Sequence, residues 1–226
     1  MTINNRDKAN NFISNKKAFF VGFFVIILAV FSIAVLPYDI MDALRDESGP
    51  LENGSILAYA VCAVMALIYA KKGLWRSGVN GCIIFTAFAL RELDFHKRFT
   101  VMSVTKTKFF VSPDVTLTAK LISGVILTAL IILLFLLVKN NFRKLLNGIK
   151  THEKWAFSAV TGIALLPTSV VLDSTRRWLT DWGVELLDTQ QLIIEFSEEL
   201  VELAIPVFFL IAFFQWKKSV VNIPDK

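Results

Sequence analysis

Arg91, Glu92, Asp94 and His96 lie within six residues of one another, directly after the apolar run VNGCIIFTAFAL. On a helix, Glu92 and His96 stand i,i+4 and share a face, while Arg91 and Asp94 stand i,i+3 along a neighbouring edge. A second group of acids follows at the other end of the chain. Glu195, Glu199 and Glu202 are spaced i,i+4,i+7, and Glu195, Glu198 and Glu202 are spaced i,i+3,i+7, so either set forms an acidic stripe. Several carboxylates with one imidazole make a donor set for a divalent cation. Zinc accepts His nitrogen and carboxylate oxygen, and manganese and magnesium favour oxygen. The expected ligands are Glu92, His96, Glu199 and Glu202, with Glu52 as a bridging or base carboxylate. In catalysis Glu52, Glu92 and His96 would move protons, and Arg91 would hold an anionic group.

The segment KRFTVMSVTKTKFFVSPDVTLTAK adds Lys97, Arg98, Lys106 and Lys108 beside this cluster. Its apolar and polar residues alternate, which suits a stretch lying along a membrane interface with its bases toward anionic headgroups. Arg176 and Arg177, next to Trp178 and Trp182, extend the same expected substrate rim; such tryptophans fit an interfacial aromatic belt. Asp94, Asp173 and Glu198 are expected as structural pairing partners for these cations. The bland alternative is that all of these charges sit at span ends and simply reach the headgroups.

No named metal motif is present. The chain lacks H-E-x-x-H, and its two histidines exclude a three-His site. His152, in THEKW, reads as a surface residue near a helix start. Acids and a histidine near one membrane face resemble the membrane hydrolases of the alkaline ceramidase type. Those proteins use a serine and an aspartate with three histidines on seven spans, so the residue match fails and nothing is carried over. There is also no Gly-rich nucleotide loop and no repeat relating the two halves.

The elements that would position these residues come from the apolar blocks. Of the 226 residues 55% are hydrophobic and 19% charged, and the apolar ones cluster at 18–37, 55–70, 77–90, 121–138, 155–172 and 200–216. A hydrocarbon core of about 30 Å needs roughly 20 helical residues. The expected fold is therefore all-α, a polytopic integral membrane bundle of six transmembrane helices. Blocks two, three and six reach full length only by taking in Glu52, the run from Arg91 to His96, and Glu198 with Glu199. That places the acids at one depth, near the outer leaflet.

With six spans, residues 1–17, 71–76, 139–154 and 217–226 share a side and carry fifteen of the 24 Lys and Arg. The positive-inside rule then puts both termini in the cytoplasm. Residues 1–17 and 217–226 are read as cytoplasmic tails around a domain at 18–216. External interfacial segments are expected near 38–54, 97–117 and 173–197, the first as an amphipathic turn of helix, a Gly-Pro loop, and a cap at Asn53 or Ser55. The net charge of +5 is mainly a topology signal, so nucleic acid is not an expected partner.

Three functions fit this reading. The leading one is a membrane enzyme, metal-assisted by zinc, manganese or magnesium, acting on a lipid or lipid-linked envelope substrate at the outer face. The alternatives are a proton- or cation-coupled transporter, and a non-catalytic membrane subunit or sensor with a structural ionic cluster. The expected partners are membrane lipids, anionic headgroups among them, and the expected location is a plasma membrane of the bacterial inner-membrane kind.

Overall fold

A computed structural model describes residues 36–46, 49–95 and 107–221. The described residues form seven helices: α1 (Tyr38–Arg45), α2 (Pro50–Lys71), α3 (Gly78–Glu92), α4 (Thr107–Val111), α5 (Leu117–Lys150), α6 (Lys154–Asp181) and α7 (Asp188–Val221). The all-α expectation holds over these residues. The chain divides into two compact units, Met1–Ala58 with Lys144–Lys226, and Tyr59–Arg143.

The expectation of six spans is corrected. Among the described residues, three helices are long and apolar enough to cross a membrane: α2, α5 and α6. The first block lies almost wholly outside the described residues. The third fails because α3 has 15 residues and stops at Glu92. Counting on to His96 assumed an uninterrupted helix, but Asp94 takes a left-handed φ of 47°. Aspartate tolerates that region better than most residues, and the helix ends there. The sixth block occupies the later part of α7, a 34-residue helix that carries Glu195, Glu198 and Glu199 ahead of the block and Glu202 within it.

The start of α2 also differs from expectation. Pro50 opens the helix, a position that needs no backbone N–H and suits proline's fixed φ. Asn53 and Ser55 therefore lie inside the first turns instead of capping them. Their side chains donate back to the carbonyls of Gly49 (3.0 Å) and Leu51 (3.1 Å).

In the first unit, α6 and α7 pair along their lengths. Ser158 donates to Gln215 at 2.9 Å and Ser169 donates to Glu202 at 3.0 Å, while Arg176 pairs with Glu195. One number rises as the other falls, so the two helices are antiparallel. Gly162 allows the close approach, since a Cβ there would already touch the Ile205 carbonyl and the Phe209 ring. Helix α1 lies against α7. Met41, Leu51, Leu192 and Phe196 form the buried core of that contact, with Leu36, Leu44, Leu200 and Leu203 around it.

In the second unit, α2 closes on Gly73 at φ 68°. The Gly73 N–H bonds the Ala70 carbonyl and the Leu74 N–H bonds the Tyr69 carbonyl, a Schellman ending. The chain then turns into α3, where Gly78 faces the Ala66 carbonyl. The Trp75 indole donates to Asn141 at 2.8 Å, and Tyr59 meets Phe88 with ring centroids 5.4 Å apart. Cys62 is buried and Cys82 half-buried, both as free thiols.

Candidate functional site

Asp42, Arg45, Arg176 and Glu195 of the first unit gather at the end where α1, α6 and α7 meet. Helix α1 presents Asp42 and Arg45 one turn apart, and they pair at 2.7 Å. Arg45 also reaches across 150 residues of sequence to Glu195 on α7. Arg176, from the last turns of α6, takes the other oxygen of the same carboxylate. Glu195 thus sits between two guanidinium groups from two different helices. Its side chain is 21% exposed, so water screens these pairs only in part. The Leu192 and Phe196 side chains on either side of Glu195 belong to the apolar core. They fix the rotation of α7 that aims Glu195 at α1.

Glu198 follows one turn later, just before the apolar run. Burial raises its carboxyl first, and the neighbouring charges of Glu202, Asp173 and Glu199 raise it further, against an opposing Arg176, to about 7. Glu202 accepts the Ser169 hydroxyl. Arg177 donates to Ser174 at 3.0 Å, within its own helix.

The expected site residues are drawn from both units. Glu52, Asp173, Arg176, Arg177, Glu198, Glu199 and Glu202 belong to the first unit, and Arg91, Glu92 and Asp94 to the second. Glu92 is a buried carboxylate at the end of α3, paired with its neighbour Arg91 at 3.0 Å. Lys108 falls in α4, whereas His96, Lys97, Arg98 and Lys106 lie outside the described residues. Among the described residues, no three His, Cys, Asp or Glu side chains are grouped so as to hold a metal ion.

Sequence reading missed Arg45 and Asp42 altogether. Their i,i+3 spacing in YDIMDALR was a signal for a local pair, but nothing local pointed to Glu195. It missed Ser169 for the same reason. His152 is exposed and lies two residues before α6, as its surface place near a helix start implies, and it also closes α5. Its φ is 56°, its N–H bonds the Ile149 carbonyl, and the following Glu153 N–H bonds the Gly148 carbonyl. That is the place glycine usually takes in a Schellman ending.

Compared with known proteins, the chain matches no protein-family model, no curated protein and no solved structure.

Proposed function

We propose that the chain is an integral membrane protein whose charged corner is a proton-responsive contact, in the manner of a sensor or accessory subunit. The observation behind this reading is the grip of Arg45 and Arg176 on Glu195. A carboxylate held by two guanidinium groups from two helices serves to tie those helices together. Glu198, one turn further along α7, supplies the response. Below about pH 7 it keeps its proton; above that its charge adds to those of Glu202, Asp173 and Glu199.

The sign follows from linkage. A carboxyl raised from 4.5 to about 7 binds its proton more tightly in the folded chain. Its contribution to stability is full below about pH 4.5 and is lost as pH rises through about 7. The α1–α6–α7 corner should therefore loosen on going from about pH 6 to about pH 8. Hydrogen exchange on the full chain in mild detergent, corrected for intrinsic rate, reads this directly. Residues 38–45 and 188–199 should be less protected at the higher pH, and Glu198→Gln should abolish the difference. Equal protection of the native chain at both pH values would sink the reading.

The metal-assisted lipid enzyme remains as a second reading, favoured by the crowding of carboxylates around Glu198, a repulsion that a divalent cation relieves. In that case Glu199 and Glu202, beside Glu198, would hold zinc, manganese or magnesium. Elemental analysis separates the two. Protein purified without chelators should carry no stoichiometric metal if the first reading holds. About one zinc or manganese per chain, lost in both Glu199→Ala and Glu202→Ala, would replace it with the enzyme.

A further inference from the structure

The opposite end of the first unit has a different chemistry. The last turns of α5, the turn at 151–153, the start of α6 and the end of α7 bring Lys144, Lys150, Lys154, Lys217 and Lys218 together, all exposed. Three contacts fix this convergence. Gly148 lies so close to Trp155 and Ala156 that an added Cβ would stand 2.8 Å from each, which locks the α5–α6 hairpin. The bond from Ser158 to Gln215 sets the end of α7 against the start of α6. The Lys144 ammonium lies 5.9 Å from the centre of the Trp216 ring, which joins α5 to α7. Glu153 is the one acid between Lys144 and Lys154, and none lies between Glu202 and Lys218.

Depth follows from the apolar runs. In α5 the run 121–138 is 18 residues, about 27 Å of helix, and the run in α6 begins at Trp155. A bilayer that accepts these two helices leaves the hairpin and its lysines at headgroup level on one side. Trp155 and Trp216 stand at the same end, where tryptophan suits the interface. Five ammonium groups with two indoles match an anionic, amphipathic ligand, and a phospholipid headgroup offers both features.

We propose that this end of the unit binds an anionic phospholipid headgroup, with Lys144, Lys217 and Lys218 around its phosphate and Trp216 beside its glycerol and upper acyl region. The inference rests on insertion of α5 and α6 into the membrane. It is independent of the acidic corner at the other end, and it concerns a different lysine set from the expected rim at 97–108.

Quenching by brominated lipids tests it. The full chain is reconstituted in phosphatidylcholine bilayers containing an equal fraction of either brominated phosphatidylglycerol or brominated phosphatidylcholine. The signal is the part of the tryptophan emission that is lost in Trp216→Phe. Brominated phosphatidylglycerol is expected to bind at least about fivefold more strongly, the contribution of a single lysine at an anionic surface. The preference should weaken with salt. Substituting Lys144, Lys217 and Lys218 together by Gln should bring it to parity, and substituting all three by Arg should preserve it. Neutralising Lys71, Lys72 and Arg76 in the α2–α3 turn should leave it intact.

Equal quenching of the native chain by the two lipids would overturn the proposal, and this needs no variant to fold. Persistence of the preference in the Gln variant, or equal loss in the α2–α3 variant, would also overturn it by showing diffuse attraction. No quenching by either lipid would overturn membrane insertion itself, and so is distinguishable from failure of the headgroup site.

Discussion

At the scale of single residues, the most informative positions are those whose backbone or charge conflicts with their surroundings. His152 holds a left-handed φ without being glycine, and its ring stacks on Phe157 at 6.2 Å and 13°. The conformation costs a non-glycine residue about 1–2 kcal/mol, and the ring contact returns about 0.5 kcal/mol. His152→Gly is therefore expected to raise stability by about 1 kcal/mol, seen as a higher melting temperature in detergent. A lower melting temperature would show that the ring contact outweighs the strain. The sequence makes the αL endings at Gly73 and Gly183 easy to anticipate, because glycine marks them. The endings at Asp94 and His152 carry no such mark. The same limit applies to charge: Asp42 and Arg45 are a readable local pair, while the partnership of Arg45 with Glu195 arises only from the packing of α1 on α7.

Among elements, helix length separates expectation from structure. Block two was extended backwards to reach a full span, and α2 does run from Pro50, taking in Glu52. The same extension applied to block three fails at Asp94, because hydropathy carries no information about where a backbone leaves the helix. The α2–α3 turn then depends on close contact. A Cβ on Gly78 would stand 2.4 Å from the Ala66 carbonyl oxygen, a backbone atom with little freedom to withdraw. Gly78→Ala is expected to destabilise the chain by about 1–3 kcal/mol. Gly124 in α5 is the control, since its added Cβ would sit 3.8 Å from the Phe110 ring. Gly124→Ala should be neutral or stabilising by up to about 1 kcal/mol. Thermal melts of the two variants decide the matter, and equal destabilisation would contradict the packing described for Gly78.

For the molecule as a whole, the apolar blocks announced helices, and three of the described helices are long and apolar enough to cross a membrane. They did not fix the number of spans, because a block of 14 to 16 residues lies on the boundary between a short span and an ordinary buried helix. The separation of charge was legible along the sequence, and within the first unit it survives as a lysine-rich end and a mixed-charge end. Which carboxylates share a site was not legible, since spacing relates residues only within one helix.

None of the most apolar window of α5 is buried against the described residues. Where none of the described residues buries that window, a bilayer around the helix would act on it with little to buffer its thickness. An 18-residue run of about 27 Å is a few ångströms short of an average hydrocarbon core. Thin bilayers would accommodate it without deformation, whereas thick ones must dimple around it or crowd two copies together to share the deficit. For an inserted α5, acyl-chain length would be a variable that acts with no ligand present.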